Sequence, residues 1–268
     1  MGLRDQLRGI IPDRELRGIS DHFEVIGDIA IISIPPELSA YKPDIARVIV
    51  SRRRNISTVL NKVAKVSGDG RTAAYEILTG TTMETLHREF GFAYRFDVSK
   101  VFFNTRLASE RKRIADQTES GERVYVPFCG VGPFAIPVAA RGAHVVAVEQ
   151  NPDAFPYLEE NIGLNKVKQN IIAIQGDAFD TGQLPHRLFD RIIAPAPYGL
   201  DRIFDILSPL VVKNGMMHFY TFKTRNEIPA LMEEYAQKGF DVTWYSPCGN
   251  VAPGVSRWVF DLVHTSRP

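Results

Sequence analysis

The stretch from Glu122 to Asn165, ERVYVPFCGVGPFAIPVAARGAHVVAVEQNPDAFPYLEENIGLN, decides the fold of this chain. Residues 124–128 alternate in polarity and size as a strand does, and a glycine-containing turn follows at 129–132. Pro133 suits the first position of a helix. A second strand is predicted at 145–148. The order strand, turn, helix, strand predicts one half of a parallel α/β sheet.

The ends of these two predicted strands carry residues suited to holding a nucleoside. Gly130 and Gly132 let a ligand approach the backbone, and Glu149 can accept hydrogen bonds from the two hydroxyls of a ribose. This is not the dinucleotide fingerprint G-x-G-x-x-G, because Ala135 stands where the fingerprint has its third glycine. The pattern therefore favours S-adenosylmethionine, which has no pyrophosphate, as the cofactor.

Composition places the chain among ordinary globular proteins, and charge is distributed unevenly along it. The 268 residues are 44% hydrophobic and 24% charged, enough for one large domain or a domain plus a smaller one. Residues 42–113 hold 15 Lys and Arg against 7 Asp and Glu, whereas residues 121–268 hold 13 against 15. This asymmetry favours a basic substrate-gripping module beside a neutral catalytic one, with a solvated basic face as the alternative.

Several classes of protein are excluded by what the sequence lacks. Cys129 and Cys248 have neither metal-binding spacing nor the pattern of a disulfide framework, so we expect two reduced thiols and no metal. No apolar run approaches 18 residues, and the N-terminus has no signal-peptide core. We therefore expect a cytoplasmic protein without a membrane partner, acting as a monomer.

The chain is predicted to contain a small α+β domain at 1–98, a connector at 99–120 and a Rossmann-like α/β domain at 121–268. In the first, helices are expected at 3–19, broken near Pro12, and at 43–53, with strands around Gly27-Asp28, at 57–66 and 75–78, and a hairpin at 83–96. In the last, strands are expected at 123–128, 143–148, 170–175, 188–194, 214–221, 240–246 and 256–263, and helices at 133–141, 153–163, 199–208 and 225–238.

Alternating strands and helices indicate a parallel sheet covered on both faces. The last two strands have no helix between them and should pair antiparallel. A seven-stranded, mostly parallel sheet of this kind is the fold of class I methyltransferases.

Ligands of open α/β sheets sit at the carboxyl ends of the strands. The third strand ends at Asp177 and Ala178, and the fourth ends at Pro195-Ala196-Pro197-Tyr198. In a methyltransferase Asp177 would accept a hydrogen bond from the adenine amino group, although a turn or helix cap is the alternative. Phe128, Gln150 and Ala178 complete the predicted cofactor pocket.

The fourth strand end would line the transfer site, where Pro195 and Tyr198 are the candidate residues. Tyr198 suits stacking on a flat target base. Alternatively, it begins a helix and covers the sheet.

A co-linear set of motifs resembles a known family. The segments are FCGVGPFAIPVA, VEQNPDAFPYLEENIGLNKV, GDAFD and FDRIIAPAP, preceded by GDGRTAAYEILTG and FDVSKVFFNTRLASERKRIA and followed by Ala252-Pro253-Gly254. Over residues 20–264 the chain resembles the archaeal and eukaryotic tRNA guanosine-37 N1-methyltransferases. It is also similar to their relatives, the wybutosine-pathway aminocarboxypropyltransferases. Both groups use S-adenosylmethionine.

The resemblance implies roles for individual residues. Glu110 matches the carboxylate that takes the proton from guanine N1, and Arg71 matches an arginine that steadies the guanine oxygen. Arg111 matches an arginine of the cofactor pocket, where a guanidinium can pair with the methionine carboxylate. Without the resemblance, the alternatives are an exposed pair of Glu110 with Arg113 and a surface arginine at position 71.

The chain also departs from the methyltransferase pattern. Val126 stands where an acid is usual, and 195–197 read Pro-Ala-Pro where the family has Asn-Leu-Pro. We expect no separate N-terminal tRNA-elbow domain, since only one short helix is predicted before Phe23, which is nearer the aminocarboxypropyltransferases. Against that, 106–107 and 132–134 are nearer the methyltransferases.

Methyl transfer to guanosine N1 is therefore the first hypothesis and aminocarboxypropyl transfer to a tricyclic guanosine derivative the second. A non-catalytic binding relative and a methyltransferase for proteins or small molecules remain open.

The expected partner is the anticodon stem-loop of tRNA, whose phosphates would contact the basic module. The candidates are Arg52, Arg53, Arg54, Lys62, Lys65 and Arg106. A flipped purine would enter between Arg71, Glu110 and the end of the fourth strand.

Overall fold

The computed structural model describes residues 2–63 and 73–265, and the chain forms two compact units, Met1–Phe103 and Asn104–Pro268. The boundary between them falls inside the predicted connector. Lys65, Arg71 and the turn predicted at 67–70 lie outside the described residues, as does the end of the strand predicted at 57–66.

The N-terminal unit combines short helices with a mixed sheet. Its described elements are α1 (Leu3–Leu7), α2 (Asp13–Leu16), β1 (Glu24–Ile26), β2 (Ile29–Ile32), α3 (Lys42–Arg52), β3 (Thr58–Lys62), β4 (Tyr75–Thr79), β5 (Glu84–Glu89) and β6 (Phe92–Asp97). Among the described residues, β1 to β4 form one sheet in sequence order, in which only the pair β2 and β3 is parallel. The strands predicted around Gly27-Asp28 and the hairpin of β5 and β6 are confirmed.

The core of this unit lies between its helices and the sheet. Ile45 and Ile49, one turn apart on α3, are buried with Leu7 of α1 and Val59 of β3. The carboxyl end of α3 is exposed and leads into the basic triplet at 52–54. The helix therefore presents its charges to solvent because its apolar side is used for packing.

The second unit contains the remaining elements. They are α4 (Ala108–Gln117), β7 (Arg123–Pro127), α5 (Ala135–Ala139), β8 (His144–Glu149), α6 (Phe155–Leu164), β9 (Ile171–Gln175), β10 (Phe189–Ala194), α7 (Ile203–Leu207), β11 (Val211–Lys223), α8 (Ile228–Gln237), β12 (Phe240–Ala252) and β13 (Val255–His264).

The described strands of this unit form a seven-stranded sheet in the order β12-β13-β11-β10-β7-β8-β9. The pairs from β11 to β9 are parallel, and β13 is antiparallel to both β11 and β12. The predicted α/β Rossmann-like fold and its antiparallel last pair are confirmed. Val124, Tyr125 and Val126 are all fully buried, because layers of packing on both faces cover the central strand β7.

Several predicted elements start or end at other residues than expected, including β12, which was predicted to end at 246 and runs to Ala252. Strand β7 ends at Pro127, because Phe128 turns into the left-handed region at a φ of 53°. Helix α5 begins at Ala135 and not at Pro133, which lies in the preceding turn. The helix predicted from 199 begins at Ile203, because Gly199 has a φ of 82° that no right-handed helix contains.

Gly132 closes the turn between β7 and α5. Its φ is 92°, and its amide donates to the carbonyl of Cys129 at 3.0 Å. A Cβ at this position would lie 2.8 Å from Cδ1 of Ile136 and 2.9 Å from Cδ1 of Leu158. Both the backbone conformation and the close approach of α5 and α6 therefore require glycine.

A buried series of charged side chains fastens α4 to the sheet. Arg113 of α4 donates two hydrogen bonds, of 2.5 and 3.0 Å, to the carboxylate of Asp261 on β13. Oδ1 of Asp261 also lies 2.6 Å from Nδ1 of His218 on β11. Nε2 of His218 lies 2.7 Å from Nη1 of Arg191 on β10, and Arg191 donates to Glu122 at 2.6 and 2.9 Å.

The partners of His218 determine where its proton lies. An arginine nitrogen can only donate, so Nε2 accepts from Arg191, and Nδ1 carries the proton that is donated to Asp261. Burial lowers the pKa of His218, which keeps the ring neutral. Burial alone would raise the pKa of Asp261, but hydrogen bonds from His218 and Arg113 outweigh it and lower that pKa to about 2.

We expect Gly132→Ala to lower the free energy of unfolding by roughly 1–3 kcal/mol, because the methyl group meets two packed side chains in a left-handed turn. The control is Gly163→Ala within α6, where a Cβ meets open space; its effect should be neutral or slightly stabilising. Urea unfolding followed by fluorescence of Trp244 and Trp258 reports on this unit. Equal effects of the two substitutions would contradict the role given to Gly132.

We expect Asp261→Asn to cost about 3 kcal/mol at pH 6, because it leaves a buried guanidinium with one carboxylate fewer. The folded pKa of about 2 lies below the ordinary 3.8, so the carboxylate stabilises fully above about pH 4 and progressively less toward pH 2. The difference from wild type should therefore shrink as the pH falls. Asp205→Asn, which removes an exposed partner of Lys238, is the control and should cost less than about 0.5 kcal/mol. A pH-independent difference would contradict the assignment.

Candidate functional site

The carboxyl ends of β7 and β8 lie side by side, and the carboxylate of Glu149 fixes the turn that follows β7. Oε2 of Glu149 accepts a hydrogen bond from the amide of Gly130 at 2.7 Å, and Oε1 accepts one from the amide of Asn151 at 2.8 Å. Gly130 has a φ of 55°, and a Cβ on it would meet open space. The turn therefore leaves room beside its backbone for a ligand.

Glu149 keeps acceptor capacity for that ligand. Each carboxylate oxygen has two lone pairs, and the backbone amides use one on each side. The side chain is half-buried, while Gln150 beyond it is exposed. Glu149 is thus fixed in position and still able to accept two hydroxyl groups, as the ribose assignment requires.

Asp177 and Ala178, at the end of β9, differ in what they can offer. Oδ1 of the exposed Asp177 caps the amide of Phe179 at 3.0 Å, which is the turn cap considered as its alternative role. Its second carboxylate oxygen remains able to accept an adenine amino group. The side chain of Ala178 is buried in the core, so only its backbone is available.

Phe128 lines the same edge of the sheet. Its ring is half-buried, and its centroid lies 6.5 Å from that of Phe179 in an edge-to-face arrangement. Its left-handed backbone is uncommon for a residue other than glycine and is typical of functional turns. These two rings form an apolar wall beside Asp177.

Sequence reasoning missed one residue that shapes the glycine turn. Asn161 of α6 is completely buried and donates from Nδ2 to the carbonyl of Val131 at 3.1 Å. A buried amide needs a partner, and this carbonyl lies between the two glycines. The motif NIGLN carries no local signal for such a long-range contact.

The end of β10 is a rigid loop with one exposed ring. The amide of Ala196 donates to the carbonyl of Ala194 at 2.8 Å, a tight turn between two prolines. Asp201 anchors the loop by accepting from Thr221 at 2.6 Å and Lys223 at 2.7 Å. Tyr198 does not begin a helix: it lies in a turn and is 64% exposed.

The ring of Tyr198 is held at one edge and open elsewhere. Its centroid lies 5.2 Å from that of Phe222 on β11, at an interplanar angle of 61°. Pro195, at the start of the loop, is half-buried. The exposed tyrosine ring can therefore stack on a planar group, which is the interaction expected of a base-binding residue.

Glu110 of α4 belongs to the buried charge series. Arg113 donates to its two oxygens at 3.0 to 3.2 Å, and the hydroxyl of Tyr220 donates to Oε2 at 3.3 Å. The pair of Glu110 with Arg113 exists as the alternative reading expected, but it is not exposed, since the Glu110 side chain is only 15% accessible. Arg113 lies over the Trp244 ring at 4.1 Å, which fixes its other face.

Arg113 bridges two carboxylates, Glu110 and Asp261. If Glu110 takes up a proton, Arg113 keeps a charged partner in Asp261, so no unpaired buried cation arises. Burial would lower the pKa of Arg113, but its bonds to Asp261 and Glu110 raise it. The arrangement is suited to a carboxylate that changes its charge during a reaction.

The other predicted residues of the two units have simpler surroundings. Arg111 is buried and donates from Nη1 to the carbonyl of Asn104 at 3.1 Å, so its orientation is set from within its own unit. Arg106 is exposed in that unit. In the N-terminal unit Arg52, Arg53 and Arg54 are exposed and Lys62 is half-exposed, with Arg53 lying 5.0 Å from the centre of the Phe23 ring.

Within residues 2–63 and 73–265, no helix has both the length and the apolar character needed to cross a membrane. Across the same described ranges, no cluster of three or more His, Cys, Asp or Glu is placed to hold a metal ion.

Two protein families match successive parts of the chain. Residues 3–83 match the TYW2 N-terminal domain, and residues 85–242 match the TRM5/TYW2 methyltransferase domain. The junction at 84 falls inside the N-terminal unit, at the first residue of its β5 hairpin.

Relatives of known name and structure agree with these matches. The chain is 38% identical over 213 residues to the tRNA (guanine(37)-N(1))-methyltransferase Trm5b of Pyrococcus abyssi, covering 79% of this chain and 63% of the relative's length. The structure of aTrm5 in complex with tRNALeu superposes with a TM-score of 0.87 at 26% identity, covering 98% of this chain and 78% of the other.

A second similar structure comes from the other branch of the group. TYW2 of Pyrococcus horikoshii, solved in complex with MeSAdo, superposes with a TM-score of 0.80 at 28% identity and covers 97% of both chains. Since more than half of the sequence matches the domain that both branches share, this chain belongs to the TRM5/TYW2 methyltransferase family.

Proposed function

We propose that this chain is an S-adenosylmethionine-dependent tRNA methyltransferase that acts on N1 of guanosine 37. The observation that carries the proposal is the site itself: a half-buried carboxylate, Glu110, held by Arg113 and Tyr220 in the same unit as the glycine turn and Glu149. Support comes from the similarity to Trm5b of Pyrococcus abyssi and from the related complex with tRNALeu. The chain spans 63% of that relative's length.

The residues present fit S-adenosylmethionine. The open space beside Gly130 would admit the amino acid part, Glu149 would accept the ribose hydroxyls, and Asp177 would accept from the adenine amino group. Phe128 and the backbone of Ala178 would border the adenine, and Gln150 is exposed beside Glu149. Arg111 would pair with the methionine carboxylate. When bound, the cofactor supplies an electrophilic carbon attached to a sulfonium.

Glu110 is the proposed general base. In the methyl transfer the bond from guanine N1 to carbon forms, the bond from carbon to sulfur breaks, and sulfur leaves as a neutral thioether. The N1 proton passes to Glu110, whose negative charge is thereby neutralised. Arg71, outside the described residues, would steady the guanine oxygen as charge develops there.

Two sets of residues would contact the acceptor RNA. Tyr198 and Pro195 would border the flipped base. The exposed cations Arg52, Arg53, Arg54 and Arg106, the half-exposed Lys62, and Lys65 would contact anticodon stem-loop phosphates. We propose that the protein is cytoplasmic, which is consistent with a tRNA substrate. We also propose that the protein acts as a monomer.

A second candidate function is aminocarboxypropyl transfer to a wyosine precursor at the same tRNA position. The observation that favours it is the N-terminal part, since residues 3–83 match the TYW2 N-terminal domain. The superposition with TYW2 of Pyrococcus horikoshii also covers nearly all of both chains, whereas only 78% of the aTrm5 chain is covered. In this reaction the acceptor would attack the methionine Cγ, and methylthioadenosine would leave.

The two reactions are separated by the position of a label in S-adenosylmethionine. With the methyl group labelled, we expect transfer of label to unmodified tRNA, because the methyl carbon is the one attacked. With the carboxypropyl carbons labelled, we expect none. The control is tRNA that already carries a methyl group on N1 of guanosine 37. Transfer of only the second label, to a tRNA bearing the wyosine precursor, would replace the first proposal by the second candidate.

We expect Glu110→Gln to reduce the rate of RNA modification by roughly 10²–10⁴-fold, because the amide cannot accept the N1 proton. The dissociation constant for S-adenosylmethionine should stay within about twofold. Asp116→Asn on the same helix removes an exposed carboxylate paired with Lys112 and should retain full activity. Single-turnover rates measure the chemical step. Wild-type rates in Glu110→Gln would remove Glu110 from the role of base.

A further inference from the structure

Arg257 is a buried cation that the proposed mechanism does not use. It stands on β13 opposite Phe222 of β11, and its side chain is only 6% exposed. Its guanidinium carbon lies 4.9 Å from the centre of the Phe222 ring. In the part of the chain that the structure describes, it makes no ion pair with a carboxylate and no hydrogen bond.

The other buried arginines of the same unit are satisfied. Arg113 has Asp261 and Glu110, Arg191 has Glu122, and Arg111 donates to a backbone carbonyl. A guanidinium cannot shed its proton at physiological pH, so burial of Arg257 without a counter-charge costs free energy. That cost is recovered if a ligand supplies the anion.

The neighbours of Arg257 are polar but neutral. It interacts electrostatically with Cys248 and Tyr220, and burial raises the pKa of the Cys248 thiol to about 12 and also raises that of the Tyr220 hydroxyl. Neither group carries negative charge near pH 7. The Tyr220 hydroxyl also donates to Glu110, so Tyr220 neighbours both Arg257 and the proposed base.

The position in the sheet indicates which substrate reaches Arg257. Strand β13 is three places from β7, whose end carries the glycine turn, or roughly 14 Å at about 4.8 Å per strand. The methionine carboxylate of a cofactor at that turn is therefore distant. Tyr198, the proposed base-stacking residue, contacts the same Phe222 ring as Arg257.

We propose that Arg257 binds a backbone phosphate of the acceptor RNA, at the nucleotide whose base stacks on Tyr198. A guanidinium matches a phosphate in geometry and forms paired, charge-assisted hydrogen bonds with it. The Phe222 ring contacts the guanidinium, and Tyr198 packs against that same ring, so the RNA meets an oriented cation close to the stacking residue. This inference rests on the proposed function only in taking RNA as the ligand.

The test measures binding of a fluorescently labelled anticodon stem-loop RNA to the full chain at several salt concentrations. Arg257→Gln should weaken binding about tenfold and make the slope of log affinity against log salt shallower by about 0.7–0.9, as expected for one lost phosphate contact. Arg257→Lys keeps the charge and should keep the slope while losing part of the affinity. The control is Arg141→Gln, an exposed arginine just before the amino end of β8, which should change neither quantity.

Three outcomes would overturn the assignment to phosphate. They are an unchanged slope in Arg257→Gln, a loss of S-adenosylmethionine affinity in place of RNA affinity, and equal destabilisation of both Arg257 variants in urea. The second outcome would assign the buried cation to the cofactor carboxylate, and the third would make it structural. Binding is measured without turnover and so does not depend on the reaction. If the slope of log affinity against log salt depends on Arg257 in a protein that transfers no label, this inference stands and the proposed reaction is refuted.

Discussion

The bidentate contact between Arg113 and Asp261 is the interaction on which the geometry of the catalytic unit depends. It joins helix α4 to β13, a strand far along the sequence, and adds to the hydrogen bonds that Tyr220 of β11 and Arg191 of β10 make with the same helix. The same guanidinium holds Glu110, and the same carboxylate continues through His218 to Arg191. Through this series of contacts, Glu110 and Arg113 of α4 are held in place relative to the three strands β13, β11 and β10.

This series also explains how a mostly buried carboxylate is accommodated beside the sheet. Glu110 accepts hydrogen bonds from the Arg113 guanidinium and from the Tyr220 hydroxyl. The cation in turn has a permanent partner in Asp261, which stays ionised because its pKa is about 2. The structure therefore gives Arg113 two carboxylate partners, of which Asp261 stays ionised at neutral pH.

Most of the fold and the cofactor side of the site could be predicted from local sequence. The strands β7 to β10 are short, largely apolar runs alternating with helices, and Gly130, Gly132 and Glu149 occupy fixed offsets at the ends of β7 and β8. The acceptor side could not be read in this way. Asp261, His218 and Arg257 come from β11 and β13, whose pairing brings together residues separated by about 35 to 45 positions, and a single sequence carries no signal for such register.

The limits of helix prediction have equally specific causes. A glycine at 199 with a positive φ delays α7, and the turn closed by Gly132 delays α5. The pair of Glu110 with Arg113 was visible from its spacing, but spacing alone does not tell a solvated pair from a buried one. What distinguishes them is the third partner, which lies 148 residues further along the chain.

β12 is a long strand at the edge of the sheet, so its exposed edge decides how readily two copies of this unit could pair with each other. An edge strand of 13 residues offers a row of unpaired backbone groups to any passing extended chain. Here the pairing with β13 changes register between Val242 and Trp244, between Pro247 and Asn250, and again before Ala252. Such irregularities twist an edge, and Pro247 removes one donor from it. The hairpin that brings Arg257 to its place is thereby also a poor template for intermolecular sheet growth.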